Sequence, residues 1–248
     1  MYLDVVDIRD FYASPLGRMV ARQLGPVVAS LIRIDAGTRV LGFGFATPYL
    51  DAITGAERRL AFMPAGQGVI DWPASNGSAT ALVEEDSLPL PDSSIDLVLL
   101  IHALETSPRP NALMAELRRV LTGGGRLVIV APNRKGPWAR SDISPFGFGR
   151  PYSRTQIRSL FAEAGFEAES WLTGLHMPPT ERRPILGAAS AFDSIGRVIW
   201  PAFAGVIVVA AVKRTVQMIG ARAKLRLAPS LRPALGRPAG ALGRERHG

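Results

Sequence analysis

The fold of this chain is decided by residues 84–105, which read EEDSLPLPDSSIDLVLLIHALE. A turn rich in acids and prolines leads into the run 95–101, which is apolar at every position except Asp96. An apolar run without alternation is typical of a strand that is buried on both faces of a parallel sheet. The stretch therefore predicts a central strand, with His102 and Glu105 placed just beyond its carboxyl end.

Helical and extended segments alternate along the rest of the chain. Apolar spacing predicts helices within 3–34 and at Pro48–Ala56, Pro110–Leu121 and Ser153–Ala164. The other predicted strands are Thr38–Phe43, Arg59–Met63, Thr80–Glu84, Arg126–Ala131, Phe166–Leu172 and Phe203–Val212. Such alternation indicates parallel β-α-β units. Ligands of these sheets bind beyond the carboxyl ends of the strands, so we expect chemistry in the loops after the first, third and fourth strands.

Composition and charge narrow the function classes. The chain has 248 residues, of which 47% are apolar and 20% charged, as expected of a globular protein. The absence of cysteine excludes disulfides, thiolate metal sites and cysteine nucleophiles, and we find no metal-ligand spacing. Nine of the 29 basic residues and one acid lie in 213–248, so residues 1–212 are formally neutral. A nucleic-acid-binding face is therefore not indicated for the body of the protein.

Two stretches of the sequence are relevant to the cellular location of the protein. The N-terminus carries acids early and has no apolar core, which argues against a signal peptide. The apolar run 198–212 is shorter than the roughly 20 residues that a spanning helix needs, and it contains Pro201 and Gly205. We interpret it as a final buried strand, and we expect a cytoplasmic protein.

Residues 84–130 closely resemble a segment of the class I S-adenosylmethionine-dependent methyltransferases. The quoted stretch matches the family's acid, proline turn and fourth strand, and 102–105 is similar to the His-Val-Leu-Glu that opens the next helix. Residues 116–127 resemble the family's helix, glycine turn and fifth strand, and Ala164-Gly165-Phe166 resembles the Ala-Gly-Phe before the sixth strand. The resemblance covers roughly 38–212.

The resemblance implies the fold and the domain organisation. It implies an α/β fold with a Rossmann-like, seven-stranded, mostly parallel sheet, helices on both faces and a last strand antiparallel beside the fifth. We expect an N-terminal helical cap at 1–37, a methyltransferase-like domain at 38–214 and a basic, disordered tail at 215–248.

The resemblance also implies a site for S-adenosylmethionine. Its predicted residues are Gly42, Phe43, Gly44, Ala46, Glu84, Glu85 and Ile101. The family's loop after the first strand carries an acid and three alternate glycines that let the backbone approach the cofactor. Here Gly44 matches the first glycine, Ala46 and Pro48 replace the others, and Gly42 replaces the acid that attracts the cofactor's amino group. The loop alone is equally consistent with an ordinary tight turn, and the match at 84–130 favours the cofactor site.

Two further positions concern the nucleoside of the cofactor. The family's acid for the ribose hydroxyls is missing after the second strand, where Gln67 is a possible substitute. Glu84 matches the position that receives the adenine amino group.

His102 is the candidate general base, because it follows the fourth strand and faces the expected crevice. Glu105 could share its helical face. The alternative is that His102 only caps or packs at the start of a helix. Phe11 and Tyr12 belong to a segment that often covers the cofactor in similar enzymes, but hydrophobic docking of that helix is the favoured interpretation. The loop 132–152 could shape a substrate pocket.

Two functions follow from these observations. The first is methyl transfer from S-adenosylmethionine to a small-molecule acceptor. The alternative is a catalytically inactive scaffold or regulatory binding protein on the same fold, favoured by the departures at Gly42 and Ala46. The basic tail is interpreted as a solvated segment, with weak contact to an anionic surface as the alternative.

Overall fold

The computed structural model describes residues 3–73, 77–189, 192, 195–196 and 199–214. Their core is one seven-stranded sheet with the order β3-β2-β1-β4-β5-β7-β6. The strands are β1 (Arg39–Gly44), β2 (Arg58–Pro64), β3 (Thr80–Val83), β4 (Ile95–Ile101), β5 (Leu121–Pro132), β6 (Phe166–Gly174) and β7 (Val206–Lys213). In this sheet β7 runs antiparallel to both of its neighbours, β5 and β6, and the other six strands run in one direction. The predicted fold class is confirmed, including the antiparallel last strand beside the fifth.

Helices cover both faces of the sheet. They are α1 (Val5–Ala13), α2 (Pro15–Ala29), α3 (Thr47–Leu50), α4 (Pro110–Val120), α5 (Arg154–Ala164) and α6 (Arg183–Gly187). One core cluster joins α1, α2 and α3 to alternate residues of the central strands, and a second joins α4 and α5 to the opposite residues. Because parallel strands are buried on both faces, alternate side chains of one strand belong to different clusters.

Local sequence signals fix where several helices begin and end. Ser14 caps α2 through its hydroxyl and is followed by Pro15, which suits the first turn of a helix. Ser153 and Gln156 form a capping box at the start of α5, and Gly165 ends that helix with a φ of 71°. None of the helices that the structure describes is long and apolar enough to cross a membrane.

One sequence prediction about helices was wrong. The helix expected at Pro48–Ala56 is the single turn α3, after which 51–57 form turns and bends that include Gly55 with a φ of 78°. The helix expected at Pro110–Leu121 is present as α4, and residues 102–106, which resemble a helix opening, form turns. The predicted strand Phe203–Val212 is present as β7, preceded by the 3₁₀ turn Pro201–Phe203.

Candidate active site

The carboxyl ends of β1 and β4 lie side by side at the expected ligand crevice. Gly44 is in register with Ile101, and the Phe45 N–H donates to the Ile101 carbonyl oxygen at 2.8 Å. Gly44 has a φ of 81°, and a Cβ there would lie 2.2 Å from the Ile101 oxygen and 2.8 Å from Ala103 Cβ. Glycine is therefore required at this position by the protein's own backbone.

The place of the missing acid at position 42 is filled by apolar side chains. A Cβ on Gly42 would lie 2.6 Å from Leu50 Cδ1 and 2.8 Å from Ala46 Cβ. Phe43 is fully buried and points to the other face of the sheet, into the cluster that contains α4. The loop after β1 thus has no polar side chain where the family carries its carboxylate.

His102 is held beyond β4 in an unusual backbone conformation. Its φ is 53°, in the left-handed region that histidine tolerates better than most residues. Its Nε2 lies 2.9 Å from the Tyr12 hydroxyl, and that hydroxyl lies 3.2 Å from the Tyr49 hydroxyl. The imidazole is only 2% exposed. Strained residues of this kind cluster at functional sites, which supports a role for His102 beyond packing.

Glu105 completes a buried polar cluster with His102. Its Oε1 lies 3.3 Å from His102 Nδ1, and both side chains are at most 2% exposed. Within the described residues, neither carboxylate oxygen of Glu105 forms a hydrogen bond, and the same holds for Gln67 Oε1. The Gln67 amide nitrogen donates to the His102 carbonyl oxygen at 3.2 Å. Buried oxygens without hydrogen-bond partners are rare in native proteins. They mark the carboxyl ends of β1 and β4 as a candidate ligand site.

The hydroxyl groups of Tyr12 and Tyr49 can both donate hydrogen bonds in this cluster. Burial raises the pKa of Tyr12 well above its usual value, and the neighbouring Tyr49 and Glu105 raise it further. Burial likewise raises the pKa of Tyr49. Both phenols therefore stay protonated, so Tyr49 can donate to Tyr12, and Tyr12 can donate to His102 Nε2. His102 Nδ1 then lies on the Glu105 side of the ring, 3.3 Å from Oε1 but outside hydrogen-bond geometry.

Aromatic rings pack tightly over this cluster. The Tyr12 ring is stacked on Phe45 with centroids 5.5 Å apart, and Phe146 lies 4.6 Å from the His102 ring. Phe45, Tyr49 and Phe146 are each at most 3% exposed. In this conformation Tyr12 is stacked on Phe45, and Leu50 packs against Gly42, so S-adenosylmethionine could bind beside the loop only after Tyr12 has moved.

The predicted adenine side of the site is arranged differently. Glu84 follows β3 and is exposed, and its backbone forms an isolated bridge with Ser87. Glu85 is buried and accepts a hydrogen bond from the Ser107 hydroxyl at 2.9 Å. The two acids therefore point to different surroundings, and Glu84 is the one that is open to a ligand.

A groove lies above the aromatic rings, between α1 and the turn Pro145–Gly147. It has a volume of about 450 Å³. Its lining residues are Leu3, Asp7, Phe11, Asp142, Ile143, Ser144, Pro145, Gly147 and Phe148. Phe11 is in edge-to-face contact with Tyr12, and Phe146 lies between two residues of the lining. The groove is therefore lined by residues adjacent in sequence to Tyr12 and Phe146, the two rings that contact His102.

The structure brings together some of the predicted site residues and separates others. Gly44, Ala46, Ile101 and His102 meet at the ends of β1 and β4, whereas Glu84 and Glu85 lie at the end of β3. Sequence reasoning missed the contribution of Tyr49 and the burial of Phe146 against His102. The aromatic residues in the loop 132–152 were the signal for Phe146, but nothing in the sequence ties them to His102.

Comparisons with known proteins identify the matching segment. Residues 42–129 match the family model described as "Methyltransferase domain". A protein of Mycolicibacterium smegmatis named as a probable S-adenosylmethionine-dependent methyltransferase is 33% identical over 91 residues, which is 36% of this chain and 35% of that protein.

Longer matches have lower identity. An uncharacterized protein of Mycobacterium tuberculosis is 27% identical over 186 residues, and the match covers 72% of this chain and 64% of that relative's length. The crystal structure of a possible histamine N-methyltransferase from Thermotoga maritima is similar with a TM-score of 0.59 and 16% identity, covering 85% of this chain and 96% of that one. This structural likeness concerns the fold alone.

Proposed function

Because this chain belongs to the class I methyltransferase family, whose cofactor is S-adenosylmethionine, we propose that it transfers a methyl group from that cofactor to a small-molecule acceptor. The observation that carries this proposal is the buried His102–Glu105 pair at the carboxyl end of β4, with carboxylate oxygens that have no hydrogen-bond partner within the described residues. A polar cluster of this kind at a sheet edge is otherwise costly to bury.

His102 has the geometry of a general base. Glu105 Oε1 lies 3.3 Å from Nδ1, where its charge would stabilise an imidazole that has accepted a proton, and Nε2 would face the crevice once the Tyr12 hydroxyl has moved away. An acceptor hydroxyl or amine that binds there would lose its proton to Nε2 as the methyl group is transferred. When bound, S-adenosylmethionine supplies the electrophilic methyl group, and the protein supplies alignment and the exclusion of water.

The groove between α1 and Pro145–Gly147 is the proposed route for the acceptor. Its volume of about 450 Å³ is that of a pocket for a small molecule rather than a polymer. Asp7 and Asp142 in its lining favour a neutral or cationic acceptor, and Phe11 and Phe148 favour one with an apolar part. A cytoplasmic location, where the cofactor is made, is part of this proposal.

Cofactor binding requires Tyr12 to leave its position. Tyr12 is stacked on Phe45 and bonded to His102, so a conformation that accepts the cofactor is a minor one in the free protein. The apparent affinity is reduced by the fraction of molecules in that conformation. Replacing Tyr12 by alanine should therefore strengthen binding, although it removes a buried aromatic side chain.

Calorimetric titration of the full chain with S-adenosylmethionine tests the proposal. We expect weak binding by the natural protein and roughly tenfold tighter binding by Tyr12→Ala, while Phe11→Ala serves as the control from the same helix. Transfer of labelled methyl groups to a small-molecule extract then tests the reaction. Absence of binding by both proteins at millimolar cofactor would reject the enzyme and favour a catalytically inactive scaffold.

A further inference from the structure

A ridge of exposed apolar side chains precedes β7. Four large apolar residues within nine positions are exposed, namely Ile195 (52%), Ile199 (63%), Trp200 (41%) and Phe203 (58%). The backbone N–H of Trp200 donates to the Gly196 carbonyl oxygen, as in a helical turn, so the spacing places Ile195 and Ile199 on one side. We call these four side chains the apolar ridge.

The segment that carries the apolar ridge contacts buried residues near both of its ends. A Cβ on Gly196 would lie 2.4 Å from His176 Cβ, so this glycine packs directly on His176. At the other end, the Asn133 side chain donates to the carbonyl oxygens of Ala202 and Ala204 at 3.0 and 2.7 Å. The ridge side chains are thus exposed on a segment that has buried anchors at both ends.

Exposed apolar residues elsewhere in the described chain are distributed differently. They are Val6, Val69, Leu82 and Ile143. Val6 lies on α1, Leu82 on β3, and the other two in separate loops, so they are scattered along the chain. Scattered apolar residues are normal on a protein surface, whereas several in one short segment indicate an interaction site.

A hollow with two cationic residues in its lining adjoins the ridge segment at Ala202, which precedes Phe203 in the chain. It has a volume of about 390 Å³, and the exposed side chains of Lys135 and Arg154 contribute to its lining. Ile207 contributes an apolar wall, and the hydroxyls of Thr155 and Thr173 line the same hollow. Apolar side chains beside cations and hydroxyls form a surface that is complementary to phosphate headgroups above acyl chains.

We propose that the apolar ridge inserts into the headgroup region of an anionic lipid bilayer, with Lys135 and Arg154 facing the lipid phosphates. Charge complementarity selects this occupant, because the exposed Lys135 and Arg154 line the hollow that adjoins the ridge segment at Ala202. Tryptophan at an edge of the ridge fits the interface between headgroups and acyl chains. This proposal is independent of the methyltransferase activity.

Vesicle partition of the full chain is the test. Vesicles that contain phosphatidylglycerol should retain at least about fivefold more protein than pure phosphatidylcholine vesicles at low salt. Phe203→Ser should lower partition about tenfold, because a large apolar side chain no longer inserts. The matched control is Leu82→Ser, which removes a side chain of similar exposure (51%) on β3 and should leave partition unchanged.

Variants of Lys135 and Trp200 provide two further tests of the proposal. Lys135→Gln should lower partition to anionic vesicles about fivefold, whereas Arg58→Gln, at the exposed start of β2, should not. The fluorescence of Trp200 should shift to shorter wavelength on vesicle binding, and Trp200→Phe should remove that shift while binding remains.

Three results would overturn the proposal. One is equal partition of Phe203→Ser and Leu82→Ser, which would assign vesicle binding to other parts of the chain such as the basic residues after 213. Another is a dimer in size-exclusion chromatography that Phe203→Ser dissociates, which would make the ridge a contact between copies. The third is loss of thermal stability in Phe203→Ser without lipid, which would mean that the chain itself covers the ridge.

Discussion

The loops after β1 and β4 follow adjacent parallel strands, yet they are built in opposite ways. The loop after β4 buries a histidine and a glutamate, whereas the loop after β1 fills the corresponding space with Ala46 and Leu50. Both loops match the same family segment in sequence order. The difference teaches that the proposed proton-transfer role can belong only to the loop after β4, because the position at which the family carries its acid is packed with apolar side chains.

Tyr12 links the two loops. It is stacked on Phe45 from the loop after β1, and its hydroxyl is bonded to His102 from the loop after β4. The segment 3–13 is tied down by the Val5 N–H, which donates to the Gln67 carbonyl oxygen at 2.8 Å. A site that is closed by a short N-terminal helix can be opened without unfolding the sheet.

The largest effect is expected for Gly44→Ala. Its Cβ would lie 2.2 Å from the Ile101 oxygen at a φ of 81°, so strain and overlap act together and should lower the free energy of unfolding by about 3 kcal/mol or more. Gly55→Ala is the control, because Gly55 has a φ of 78° with no atom nearby and should cost only about 1 kcal/mol. Urea denaturation measures both, and equal losses would contradict the close packing of β1 on β4.

The His102–Glu105 pair should show the next largest effect. His102→Asn keeps a residue that tolerates the left-handed conformation but leaves Glu105 without its partner, at a cost of about 3 kcal/mol. Glu105→Gln alone should cost less, because the amide is uncharged. In the double variant we expect a coupling energy above about 1 kcal/mol from urea denaturation. Additive losses would show that the two side chains do not interact.

Much of the fold could be predicted from sequence because the signals are local. The apolar run 95–101 and the glycine that follows α5 determine elements through backbone and burial rules alone. The length of α3 could not be predicted, because Pro48 permits a helix of any length and no local signal at Leu50 marks its end, seven residues before β2.

The site was predicted only in part, for a different physical reason. The position of His102 and Glu105 beyond β4 could be predicted because they follow that strand directly, but they lie in turns and do not share a helical face. The contact of Tyr12 with His102 joins residues 90 positions apart and depends on how α1 packs, which no local pattern encodes. The domain boundaries and the roles of the individual site residues stay predictions, and the basic tail at 215–248 lies outside the described residues.

A smaller effect is expected for Tyr12→Phe, which keeps the ring and removes the hydroxyl. The loss of hydrogen bonds to His102 and Tyr49 should lower the free energy of unfolding by about 1 kcal/mol. Thermal and urea denaturation check the value, with Tyr152→Phe as a control for a buried tyrosine whose hydroxyl bonds only a backbone oxygen in the described hydrogen bonds. A fully neutral Tyr12→Phe would contradict these hydrogen bonds.

The smallest effect is expected for the ion pair between Arg39 and Asp96, which lies at the amino-terminal ends of β1 and β4. Burial acts to raise the pKa of Asp96, but hydrogen bonds from Arg39 outweigh it, so the pKa lies below its usual value. A lowered pKa contributes stability above about pH 4 that is lost as the pH falls through the folded pKa. Asp96→Asn should therefore cost about 0.5 kcal/mol at pH 7 and less at pH 3 in urea denaturation. A constant difference between the two pH values would disprove the ion pair's contribution.

Hydrogen–deuterium exchange with and without saturating S-adenosylmethionine tests most directly whether α1 closes the cofactor edge. We predict that the cofactor increases deuterium uptake in α1, because Tyr12 leaves Phe45 and His102, and decreases it at 84–105. Binding that leaves the uptake of α1 unchanged, with protection confined to other strands, would contradict the account.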